Sequence, residues 1–300
     1  SSGKITLDGG TRGITKGGNL ASNIGSVAGD SNISSSTSNI DIIGDSLNIA
    51  SSVSIKSTGE LSLLSSGDSF SSSISTSNFD IQNSITGLTI GKTTNTEDIT
   101  IGSNTTIAGD ISLYGGDITV SGNLDTSSVS GGDILLKASG DITQSPHKSV
   151  LTDDGNVIYW SNSDNGANSD GAILLLKGSS IITNGANVWI GGGSGTTTWN
   201  GLTVGDGYAL SYGTVDPDDR YSTTNLNSFT AALYLEDTQI NTNGGNISIY
   251  AKADSSGGYG LTTFAENDID SGSGKIYIDA IADGGSRAGV FGMHGQYVTA

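Results

Sequence analysis

Three groups of residues in this chain have the types and spacing that chemistry requires. Asp216, Asp218, Asp219 and Arg220 form the one dense polar cluster, and paired carboxylates beside a cation are what general acid–base cleavage of a polysaccharide uses. The supporting cast is thin: the arginines are Arg12, Arg220 and Arg287, and the two histidines, His147 and His294, stand far apart. An active site needs converging groups with perturbed protonation, so the cluster reads as a solvated loop and the chain as non-enzymatic. Asp268 and Asp270 sit in D-x-D-x-G spacing with Gly272, which aims alternate side chains at one calcium ion. The other positions of a calcium loop are not filled, and a polar turn is the plain alternative. Thr152-Asp153-Asp154-Gly155 is weaker, because adjacent carboxylates in an extended chain point to opposite sides. Gly272-Ser273-Gly274-Lys275 has the look of a phosphate-loop tail, yet Ile276 stands where Ser or Thr is needed and begins a strand.

Aromatic residues carry the third chemistry. Trp160, Trp189, Trp199, Tyr208 and Tyr212 offer apolar faces with polar edges, the surface on which sugar rings stack. Aligned aromatics on successive strands also form a purely structural ladder, and both readings stay open. Trp199, Tyr208 and Tyr212 fall together in residues 196–212 and are the candidate ligand-binding set, with a glycan as the ligand.

These residues must be positioned by short strands. From Glu97 to Gln144 one phrase recurs, as Gly109-Asp110-Ile111, Gly116-Asp117-Ile118, Gly132-Asp133-Ile134 and Gly140-Asp141-Ile142. Each isoleucine opens a period-two run such as ISL, ITV or ILL, the pattern of a strand with one buried face. Taking alternate phrases, the isoleucines step from Ile111 to Ile134 and from Ile118 to Ile142, two nearly equal strides. Two or three strands per stride of that length make one coil of a solenoid, which buries its inward residues only by stacking on the next coil. The predicted fold is all-β, a parallel β-helix forming an elongated rod. Coils of about 20 to 25 residues predict about 12 to 15 coils and a rod about 60 to 70 Å long.

Composition agrees. Forty-six glycines in 300 residues and 34% hydrophobic residues suit a thin continuous core better than a thick globular one, for which ~45 to 50% apolar is usual. Disorder is disfavoured by 2 prolines and recurrent Ile, Val and Leu triplets. A formal charge of -18, from 12 Lys plus Arg against 30 Asp plus Glu, argues against nucleic acid as a partner and permits cations. No apolar run approaches the ~20 residues of a membrane span, and zero cysteines exclude a disulfide framework. Residues 1–96 contain strand fragments (KITL, IDII, LSLL, LTI) at irregular spacing, and the regular phrasing stops between Gly195 and Phe229. The expectation is one continuous array over residues 1–300, with loop insertions near 161–170 and 195–229. Ser2–Gly10, SGKITLDGG, is echoed by SGKIYIDAIADGG at 273–285, as in a segment of a longer repetitive protein.

The Gly-Asp-Ile phrasing resembles the right-handed β-helix of filamentous-haemagglutinin-type adhesins. More specifically, the stretches Gly87–Leu124, Asn156–Asp164 and Thr196–Ala209 resemble repeats in very large surface adhesins of gliding Bacteroidota, a likeness covering residues 85 to 285. The resemblance implies export to the cell surface, a role in surface attachment or gliding, and no catalytic residues. Neighbouring coils of the same long chain, and surfaces or glycans, are the partners it suggests.

Overall fold

The computed structural model describes residues 5–8, 14–16, 39–49, 54–78, 80–164, 171–211, 231–253, 258–282, 289–293 and 296–299. The chain is a parallel β-helix built from three long sheets. The first runs from Ile5–Asp8 to Ile276–Ile281, the second from Ile74–Ser75 to Val290–Met293, and the third from Thr105–Thr106 to Gln296–Thr299. From residue 87 onward each coil gives one strand to each sheet, except that the coil starting at Val188 gives three to the first. Ile111 is registered with Ile134 and Ile118 with Ile142, so the two strides read from the sequence are the coil steps of the structure. The irregular first part of the chain belongs to the same stack: Ile5, Ile40, Leu61 and Leu88 follow one another in register.

Fewer coils are present than the coil length predicts. Among the described residues ten strands succeed one another in the first sheet, which at ~4.8 Å per step makes a stack roughly 45 Å long. The reason is that coil steps are unequal. One coil step runs only from Ile99 to Ile118, whereas another in the same sheet runs all the way from Ile173 to Leu233. Both predicted insertions are also redrawn. Ser161 ends the strand Val157–Ser161, pairs with Gly192 and is fully buried, so it belongs to the sheet; residues 165–170 lie outside the described set. Residues 195–211 are mostly strand, as set out below, and residues 212–230 lie outside the described set.

Inward residues form columns along the stack. Ile40, Leu61, Leu88, Ile111, Ile134, Val157, Val188 and Ile247 make one in the first sheet, and Leu124, Val150, Ile181, Ile240 and Ile269 one in the third; all are buried. Tyr159 points into this core, where its hydroxyl donates to Gln144 Oε1 at 2.8 Å and burial pushes its phenol upward in pKa. Gln144 in turn donates through Nε2 to the carbonyls of Lys148 and Ser180, so the one polar pair at this level of the core is satisfied.

The repeated phrase has a structural purpose at the corner before each first-sheet strand. The acceptor Oδ1 of Asp110, Asp133, Asn156, Asn187 and Asn246 takes the backbone N–H of the corresponding residue one coil on, Asp133, Asn156, Asn187, Asn246 and Lys275, at 2.6 to 3.1 Å. A second ladder before the second sheet joins Asp98 to Asp117, Asp117 to Asp141, and Asp141 to Gly171 and Ala172. The residue ahead of each first-ladder acceptor is Gly109, Gly132, Gly155, Ala186 or Gly245, where the chain passes close over the coil before it. A third column closes the turns after the third sheet: hydroxyls of Thr126, Thr152, Thr183, Thr242 and Ser271 donate to the carbonyls of Gly132, Gly155, Ala186, Gly245 and Gly274. Thr152-Asp153-Asp154-Gly155 is therefore a coil-closing turn. Replacing Asn187 by Ala leaves the Asn246 N–H without its acceptor, with an expected loss of about 1–2 kcal/mol. Urea unfolding reads it, and an unchanged midpoint contradicts the ladder's contribution.

Candidate functional site

The site grows out of the first sheet's outer face. Facing outward, the row Ser62, Thr89, Ser112 continues as Leu135, Ile158 and Trp189. A solvated face would stay polar, so this change requires a cover. The cover is a hairpin. The strand Val188–Trp199 lies in the sheet at its start, pairing in parallel with Val157–Ser161 and with Ile247–Ile249, and then leaves it to pair antiparallel with Leu202–Gly207. The reversal is made by Asn200 and Gly201, with φ of 48° and 82°. Two positive φ values in a two-residue loop match the right-handed twist of the strands, which is why Asn-Gly is favoured there. The chain then re-enters the sheet as Ala209–Ser211, pairing with Ala251–Ala253 and resuming the ladder that the hairpin interrupted.

Under the hairpin sits a second apolar cluster: Ile158, Trp160, Trp189 and Val204, buried, with Leu135, Trp199, Leu202 and Tyr250 packed against them. Trp160 meets Trp189 edge to face at 6.4 Å, and Trp189 meets Tyr250 at 6.1 Å, separations at which aromatic pairs add to the area they bury. Trp160 donates from Nε1 to the Gly193 carbonyl at 2.6 Å, tying the hairpin's base to the sheet. Lys137 Nζ lies 3.7 Å from the centre of the Trp160 ring, a cation–π contact, and its burial lowers its pKa. Trp160 and Trp189 are thus buried in a core cluster rather than aligned as a ladder, since Trp160 is registered with Gly191 and Trp189 with Ile158.

Trp199 and Tyr208 are different. Both are half-buried and line one groove of about 240 Å³ between hairpin and sheet, together with Thr198, Asp206, Trp189 and Tyr250. A second groove of about 260 Å³ adjoins it, sharing Trp199 and Tyr250 and adding Asn200, Asn246, Lys275 and Tyr277. Tyr250 meets Tyr208 edge to face at 5.9 Å and Tyr277 at a tilt at 5.5 Å. Of the three predicted ligand residues, the structure therefore brings Trp199 and Tyr208 together, and Tyr212 lies outside the described residues. Tyr250 and Tyr277 escaped the sequence reading because they come from the following two coils. The hairpin escaped it too, although Asn-Gly between TTTW and LTV was the signal for it.

Tyr208 is fixed by its hydroxyl, which donates to Asp279 Oδ2 at 2.8 Å; that bond, with some burial, pushes the phenol up to about 12. The neutral phenol is the form the fold favours, so this contribution is complete below the ordinary value of 10.0 and is lost as pH rises toward about 12. Tyrosinate absorbance should show a late-titrating phenol that disappears in Tyr208→Phe and moves back toward 10.0 in Asp279→Asn; an unmoved titration contradicts the pairing.

The remaining candidates are placed elsewhere. Asp268 and Asp270 lie on the strand Asn267–Asp270, on its outward face, rather than in a loop. Asp270 Oδ1 accepts the Gly272 N–H at 2.8 Å, closing the turn, while Asp268 lines a shallow groove with Asp237 and Glu266. Among the described residues no three His, Cys, Asp or Glu side chains gather as a metal-ligand set. Asp216, Asp218, Asp219 and Arg220 lie outside the described residues. Comparison of the chain with protein-family models, curated proteins and solved structures found no match.

Proposed function

We propose that this chain is a non-enzymatic structural segment of a large exported bacterial surface adhesin or filament, in which the β-helix supplies reach and stiffness for attachment and for gliding. The observation that carries the reading is the unbroken register of the first sheet over ten coils. Backbone hydrogen bonds run from coil to coil along the stack, and the aspartate and asparagine ladders add side-chain bonds across the same joints. Bending such a rod strains many bonds at once, because each coil is held by its neighbours through the same strand-to-strand bonds along the whole stack. The surface suits exposure to water: the formal charge is -18, and hydroxyl and amide side chains supply most of the polarity. Neighbouring coils and an external surface or glycan are its partners; nucleic acid and membrane insertion do not belong to the reading.

Electron microscopy of the intact protein tests it. Thin, straight rods on the cell exterior are the expected result, and compact globular particles, or a protein retained in the cytoplasm, overturn it.

A further inference from the structure

The two grooves beside the hairpin form a built site. Each is smaller than the roughly 300 Å³ at which ligand pockets usually begin, and the pair together falls within that range. They adjoin at Trp199 and Tyr250, which line both. The aromatic walls are set before a ligand arrives: Trp160 and Trp189 hold the hairpin from below, and Asp279 holds Tyr208 by its hydroxyl. A site whose side chains are already ordered loses little entropy on binding.

We propose that this double groove binds a neutral oligosaccharide, with one sugar ring against Trp199 and Tyr208 and the next against Tyr250 and Tyr277. Sugar rings present apolar C–H faces and a rim of hydroxyls that both donate and accept. The aromatic faces meet the first requirement. Tyr277, 52% exposed, supplies an open platform at the far end. The second requirement is met by side chains of both kinds along the rim. Asp206 uses Oδ1 to accept the Gly195 N–H at 3.0 Å, leaving Oδ2 for a ligand hydroxyl. Asn246 uses Oδ1 in the corner ladder, leaving its Nδ2 donors outside that bond, and Asn200, at the hairpin tip, lines the second groove. A flat aromatic ligand would have no need of this rim. An acidic glycan would meet Asp206 and a chain of charge -18, with Lys275 the one cation lining either groove among the described residues.

The site does not depend on the rod's role at a cell surface, and its test leaves that role untouched. Titration calorimetry and tryptophan fluorescence would follow binding of neutral hexasaccharides of glucose, mannose, xylose and N-acetylglucosamine to the 300-residue chain, with hexagalacturonate as the acidic comparison. One or more neutral hexasaccharides is expected to bind. Trp199→Ala should weaken it about tenfold and Tyr277→Ala severalfold, the latter with unchanged binding of the monosaccharide. Tyr277 is exposed, so its variant remains informative even if Trp199→Ala unseats the hairpin. No binding of any neutral hexasaccharide at millimolar concentration, preference for hexagalacturonate, or binding indifferent to both substitutions overturns the proposal.

Discussion

Trp189→Ala is expected to destabilise the coil that carries the hairpin by about 3–5 kcal/mol, the range for removing a fully buried large aromatic. Trp189 is 1% exposed and is the keystone of the cluster beneath the hairpin, touching Trp160 on one side and Tyr250 on the other. Its loss removes the floor of the first groove and the surface on which Val204 rests. In a solenoid, stability is a sum of coil terms and neighbour terms, so the damage should be local. Hydrogen exchange should therefore speed up across residues 196–207 while amides of residues 111–138 keep their protection. Trp189→Phe should recover part of the loss. Uniform protection in Trp189→Ala would mean that the hairpin holds itself by its own antiparallel bonds.

Gly245→Ala is expected to cost about 3 kcal/mol, near the top of the range for overpacking. An added Cβ would lie 1.9 Å from the carbonyl oxygen of Ala186 and 2.3 Å from its carbon. Those are backbone atoms of the coil below, and moving them disturbs the Asn187 to Asn246 joint one residue later. The position is not barred to side chains everywhere in the column, since Ala186 occupies it one coil earlier; the close approach at Gly245 is what decides. Gly67→Ala, whose nearest atom is 4.0 Å away, is the matched comparison and should leave the midpoint of thermal unfolding nearly unchanged. Equal midpoints for the two variants would show that the coils can part at that corner without penalty.

The stretch from Glu97 to Gln144 was legible because its one enlarged turn, from Thr126 to Gly132 where the next coil has Thr152 to Gly155, is short, so spacing in sequence stays close to spacing in register. Beyond it the same corner continues as Gly155-Asn156-Val157, Ala186-Asn187-Val188 and Gly245-Asn246-Ile247. Asn keeps the Oδ1 acceptor and Val keeps the inward methyls, so the physical role persists while the phrase no longer reads the same. The candidate site was half legible for a related reason. Trp199 and Tyr208 are near each other in the chain, but Tyr250 joins them only across the long coil step from Val188 to Ile247, and Tyr277 one coil further on. A period read from short coils carries no information about which residue lands beside which after so long a detour. The outward Leu135 and Ile158 are the local hint that something must lie over this face, because neither satisfies the alternation of a solvated strand.

The variation in coil step has one more consequence. The short coil from Ile99 to Ile118 and the long one from Ile173 to Leu233 advance the stack by the same strand spacing, so axial length and lateral bulk are separate variables in this architecture. A gene can lengthen a turn, and try out a new hairpin or loop on the rod's flank, without changing how far the tip stands from its base. Conversely, duplicating a plain coil extends the tip and leaves every existing flank feature intact. Evolution of this chain can therefore tune distance and surface chemistry as independent traits.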